Sequence, residues 1–142
     1  MEAPIEQTPS KRPRLSVGAI VRHFGGVLLV KCGDRDGAAA QWRLPRAEQV
    51  WGETLQQTVA RAVQLQTGIR VAAGDIFQVY DLITIDGDDH TVMLDFEAAY
   101  VDGDLRPGDY VEDVAWASGL ALRSMEVEEH TSELLSDMGL LR

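Results

Sequence analysis

The sequence predicts an α/β fold of the mixed α+β kind, a mixed β-sheet with helices on its faces. β-branched and apolar runs of strand length come before, between and after the helical segments. Clusters of Gly, Asp and Pro separate these runs, as turns require. Two segments instead show helical patterning, one between Gly52 and Gly68 and one from about Met125 to Met138. At 142 residues the chain suits one domain with a single core. We expect that domain over 15–142, with 1–14 as a mobile N-terminal arm.

The arm, MEAPIEQTPSKRPR, is polar and holds three of the five prolines. Its basic residues Lys11, Arg12 and Arg14 are expected as a solvated lead-in to the first strand. LSVGAIVRH and GGVLLVKC, divided by a Gly pair, predict a hairpin. Cys32 closes its second strand as a packed thiol. After the loop DRDGAAAQ, the segments WRLP and EQVWGE are short and extended because Pro45 and Gly52 punctuate them. The first helix then begins with Glu53 and Thr54 placed to oppose its dipole and cap it, and ends at Gly68. IRV, IFQVYDLITI and TVMLDFEAAYV predict strands, the last pair joined by DGDD. In TVMLDFEAAYV the apolar residues alternate with Asp95 and Glu97, which predicts a buried face and a wet one. A loop, DGDLRPGDY, leads to a short strand VEDVAWA and then to the second helix, stopped by Gly139.

Charge and composition exclude several classes of function. With 23 acidic against 13 basic side chains and a formal net charge of -10, the average field repels nucleic-acid polymers and anionic lipid. A run of about 18 apolar residues, enough to span a membrane, is missing, as is a leading apolar signal run. The expectation is a soluble cytoplasmic protein. One cysteine excludes an internal disulfide, and His23, His90 and His130 lack zinc spacing. Asp86, Asp88 and Asp89 fit turn chemistry better than a calcium loop, which would need a closing Glu.

Against this acidic background TLQQTVARAVQLQT carries a single charge, Arg61. The surrounding segment, WRLPRAEQVWGETLQQTVARAVQLQTGIRV, resembles the Nudix box, G-x5-E-x7-R-E-U-x-E-E-x-G-U with U a bulky apolar residue. Glu53, Arg61, Val63, Gly68 and Ile69 fall at the spacing of its first Glu, its Arg, two apolar positions and the last Gly. Trp42, Leu44, Pro45, Gly52, Thr54 and Leu55 are also as that family usually has them. The likeness extends over about Arg14 to Leu135, where the second half is similar to the ADP-ribose pyrophosphatase branch. It implies a Nudix fold, an α/β/α sandwich around a central mixed sheet. It also implies hydrolysis of nucleoside diphosphate derivatives with Mg²⁺ or Mn²⁺ held by glutamates of the box helix. Hard divalent ions need charged oxygens to neutralise the cleaved pyrophosphate and to activate water.

Those glutamates are absent. The resemblance puts them at Ala62, Leu65 and Gln66, which fall within roughly a 100° arc of the helix. The Gly pair usual after Leu-Pro is Arg46 and Ala47, and a Glu common before Gly52 is Val50. What persists has structural work: Gly52 and Gly68 for backbone turns, and Glu53, which the family pattern pairs with Arg61. Two readings of function remain side by side. In one, the domain binds a nucleotide-like ligand or a protein without efficient hydrolysis and needs no cofactor. Arg46, Glu48 and Trp51 are then candidate ligand-binding residues, Arg46 because a guanidinium could hold a diphosphate without metal if it does not simply face solvent. In the other, the protein is an Mg²⁺- or Mn²⁺-dependent hydrolase with relocated carboxylates. The candidates are Glu48, Glu53, Asp95, Glu97, Asp109, Glu112 and Asp113. A third possibility is a homodimer through the box face, made more apolar by Val50 and Leu65.

Overall fold

The computed structural model describes residues 11–33 and 39–140. Most of the expected N-terminal arm and part of the DRDGAAAQ loop lie outside the described residues. The hairpin forms as expected from β1 (Arg14–His23) and β2 (Gly26–Cys32). Its turn holds Phe24 at φ 54 and Gly25 at φ 74, the left-handed pair that matches the twist of the strands. β3 (Gln41–Arg43) and β4 (Arg46–Glu48) flank Leu44 and Pro45, and α1 (Leu55–Thr67) follows. Two long strands come next, β5 (Arg70–Ile83) and β6 (His90–Asp102), then β7 (Asp113–Ala117), α2 (Gly119–Arg123) and α3 (Glu129–Asp137).

The sheet runs β3-β2-β1-β6-β5, with β4 paired to β1 and β7 to β2. β1 is parallel to β6, from Arg14 opposite Thr91 to Val21 opposite Ala98, and antiparallel to β2 and β4. The mixed sheet is therefore as the sequence implies. Where two strands were expected across IRV and IFQVYDLITI, one forms, because register shifts around Gly74 to Phe77 absorb the break without ending the pairing with β6.

Alternation along β1 sends its side chains to two cores. Val17, Ala19 and Val21 meet Val59 and Val63 of α1 and Leu94 and Phe96 of β6. Ile20 faces the other way, with Val27, Leu29, Leu122, Leu134 and Leu135 beneath α2 and α3. Burying each such Val, Leu or Ile contributes about 1.5–3 kcal/mol. Among the described residues no helix is long and apolar enough to cross a membrane.

The last helix differs from expectation. It starts at Glu129 rather than near Met125, because residues before it pair with the sheet edge: Trp42 N–H donates to Glu126 O at 2.7 Å and Glu128 N–H to Trp42 O at 2.9 Å. A strand-like bridge between Trp42 and Val127 thus displaces the first turn.

A candidate ligand cleft beside helix α1

The start of α1 is a closed hydrogen-bond unit. Thr54 caps the helix, its Oγ1 accepting from Gln57 N–H at 3.1 Å while Gln57 Oε1 accepts from Thr54 N–H at 2.8 Å. Glu53 accepts from Arg61 Nε at 2.7 Å, Arg61 Nη2 at 2.9 Å and Thr58 Oγ1 at 2.7 Å. The Arg61 hydrogen bonds, helped by Thr58, hold the Glu53 carboxyl at a pKa of about 2 and raise that of Arg61 in return. Arg61 also donates to Glu48 O at 2.8 Å, tying β4 to the helix. The sequence-expected pair is present, and its carboxylate is committed to a structural role.

The other end of α1 is covered by the loop that follows β6. Gly68 takes the left-handed conformation, φ 81, and its N–H reaches Gln64 O. The loop then supplies Arg106 N–H to Thr67 O at 2.9 Å, Gly108 N–H to Gln66 O at 2.9 Å and Asp109 N–H to Leu65 O at 3.3 Å. Carbonyls that a helix end leaves without partners are thereby satisfied. Gly108 packs so closely that a Cβ there would lie 1.7 Å from Leu65 O.

The face that carries metal ligands in the resembled pattern is built differently. Ala62 is buried, Leu65 is half exposed, and Gln66 is turned onto β4. Gln66 Nε2 donates to Arg46 O at 2.8 Å while its Oε1 accepts from Arg46 N–H at 3.3 Å. One primary amide thus satisfies both backbone groups of one residue, which a carboxylate cannot do. The Arg46 side chain points inward, not to solvent. It donates to Ser16 O at 3.1 Å and forms an ion pair with Asp95, which is 1% exposed and also accepts from Gln78 Nε2 at 2.9 Å. Asp95 was expected on a wet face; it is buried instead. Sequence reasoning missed the pair, although Gly18 in the middle of β1 was a signal. A Cβ at Gly18 would lie 2.6 Å from Arg46 Nη2 and 2.7 Å from Asp95 Oδ1, so only glycine leaves room for the pair.

Beside this network opens a cleft of about 1100 Å³ between the start of β1, β4, the end of β2 and the loop at Asp109 to Glu112. Arg46, Glu48, Asp109 and Glu112 line it, so the fold collects the ligand-binding candidates Arg46 and Glu48 and the further candidate carboxylates Asp109 and Glu112 in one place. The other candidates lie apart. Trp51 is fully exposed on the turn before α1 and does not line the cleft; Glu97 pairs with Arg22 at 2.7 Å. Asp113 accepts from the next N–H, Val114, at 2.8 Å. Among the described residues no three His, Cys, Asp or Glu side chains converge as a metal site. The residues present therefore do not fit a divalent ion held by the box helix. Tyr80, deeper on the same sheet face, is pushed up to about 12 by burial and by the charge of Asp95.

A mixed sheet between α1 and the α2–α3 layer, with a loop, helix and loop set over one face, is the architecture of Nudix domains. The chain belongs to that family, since the family model for the NUDIX domain matches residues 12–137. Solved structures agree. A NUDIX hydrolase from Nitrosomonas europaea superposes with a TM-score of 0.78 at 20% identity, over 90% of this chain and 89% of that one. A MutT NUDIX hydrolase from Burkholderia pseudomallei gives 0.74 at 25% identity, over 89% and 98%. An ADP-ribose pyrophosphatase from Streptococcus suis gives 0.67 at 16% identity, over 91% and 89%. A search of curated proteins finds no match.

Proposed function

We propose that this chain is a Nudix-family domain that binds a nucleotide-like ligand in the cleft without efficient metal-dependent hydrolysis of its pyrophosphate. The observation that carries the reading is Gln66. Its amide is consumed by the backbone of Arg46, at a position where the family's chemistry needs a free carboxylate. Its neighbours on that helix face, Ala62 and Leu65, supply no ligand atom. Losing several ligands of the metal itself costs more than the 10 to 100-fold typical of losing a group that merely supports one. Likeness to an ADP-ribose pyrophosphatase makes ADP-ribose and related nucleoside diphosphates the first ligands to test.

A second reading has one observation in its favour: Glu48, Asp109 and Glu112 all line the cleft and could move together around an ion. A single assay separates the two. Pure protein is incubated with Mg²⁺ or Mn²⁺ and a panel of nucleoside diphosphate sugars that includes ADP-ribose, and monophosphate release is quantified. Turnover of about 1 per second or more, the lower end of ordinary enzymes, overturns the first reading. Activity that then disappears in Glu112→Gln would establish the second.

A further inference from the structure

Apolar side chains left on the surface gather on one strand. Among the described residues, five of the thirteen large hydrophobic side chains that stay exposed are Ile76, Phe77, Val79, Ile83 and Ile85, all on β5 or the turn after it. Scattered apolar residues are ordinary, but a row of them marks a surface of interaction. β5 is also the last strand of the sheet. It pairs with β6 alone, so among the described residues no strand meets the N–H and C=O groups of its outer edge. The register shifts lie before Gln78, and from there to Ile83 the pairing with β6 is regular, which leaves an edge able to template another strand. Residues that commonly block such pairing are missing: Arg70 to Ile85 contains no Lys and no Pro. At the opposite end of the sheet β3 has three residues, and Trp42 already exchanges backbone hydrogen bonds with Glu126 and Glu128. One edge is finished and the other is open.

Charge and symmetry narrow the occupant. The only charge between Ile76 and Ile85 is Asp81, and His90 Nε2 lies 2.7 Å from its Oδ1. A strongly charged partner would find little there to match, whereas two copies of a chain of net charge -10 meet at this edge with little repulsion. The apolar row also suits itself. Val79 is opposite Leu94, which lies in the core beneath α1, so a copy set against the edge would continue that core with its own Val79 and Ile83. We infer that a second copy of the chain docks on β5, the two strands antiparallel about a two-fold axis and the sheet continuous across it. Each copy has one long open edge, so the pairing uses both and stops at two. The contact lies on a different element from the box face and does not depend on what the cleft holds or on hydrolysis.

Sedimentation velocity across a range of protein concentration tests this, together with hydrogen–deuterium exchange. A strand contact is narrow beside the about 800 Å² per partner of a standard interface, so we expect mainly dimer at about 200 μM and mainly monomer at about 1 μM. Amide exchange within Gln78 to Ile83 should slow several-fold at the higher concentration, because the outward N–H groups then gain partners. Val79→Lys and Ile83→Lys fall at positions 55% and 56% exposed, so each places a charge on the edge without entering the core. Both should keep the wild-type circular dichroism and sediment as monomer at the higher concentration. Leu65→Glu on the box face and Leu120→Lys on α2 should keep the dimer. A wild-type monomer at the higher concentration overturns the inference, as does a dimer that survives both edge lysines or is lost in Leu65→Glu. Slow exchange of β5 that is equal at both concentrations overturns it as well, since the edge would then be covered within one chain.

Discussion

Asp95 lies with one carboxylate oxygen on Arg46 and the other on Gln78, and almost none of it reaches water. Removing one partner of such a pair leaves a buried, uncompensated charge. Arg46→Ala is therefore expected to cost about 3–5 kcal/mol in urea denaturation, and Arg46→Met with Asp95→Leu markedly less, since the double change removes both charges. At Glu53 the sign of the pH dependence follows from its folded pKa of about 2, below the ordinary glutamate value of 4.5. Its stabilisation is present above about 4.5 and fades as pH falls towards 2. Glu53→Gln should accordingly be less stable than wild type at pH 7, with the gap closing in acid when urea midpoints are compared across pH. These two carboxylates also mark what the sequence could show. Glu53 with Arg61 was legible because their spacing sits in a known pattern along one helix. Asp95 with Arg46 joins two strands distant in sequence, and alternation in TVMLDFEAAYV assigned Asp95 to solvent because it knows nothing of what covers the second face.

At the scale of elements, α1 was the most legible part of the chain. Thr54 and Gly68 bound it as cap and left-handed stop, and both act so. What the sequence did not show is that the loop after β6 finishes the helix by donating backbone N–H groups to its last turn. Contacts made by backbone atoms leave little trace in side-chain patterns; only Gly108 hints at one. Gly108→Ala must push backbone from backbone, and we expect a loss of about 1–3 kcal/mol in thermal or urea unfolding. The start of the last helix was misjudged for a related reason: the N–H and C=O of Trp42 on β3 recruit Glu126 and Glu128 into sheet pairing.

For the molecule as a whole, the missing box carboxylates make a simple statement about metal. A ligand that binds only the folded state raises its melting temperature. Mg²⁺ at about 10 mM, compared with NaCl of equal ionic strength to remove screening of the net charge of -10, should leave the Tm unchanged. A rise of several degrees would show that the cleft assembles a cation site. The box face also exposes Val50 and Leu65, each about half accessible; if that face joins two copies, sedimentation will give twice the monomer mass and Leu65→Glu will halve it. Finally, the Gln66 bridge bears on how a carboxylate could be placed on the box face. Gln66→Glu exchanges a group that serves both the N–H and the C=O of Arg46 for one that places negative charge against that carbonyl. Taken alone, the step loosens β4, and Ala62, buried where it stands, is no easier to replace. Carboxylates placed on this face one at a time thus each meet a cost in stability before a set of metal ligands could assemble.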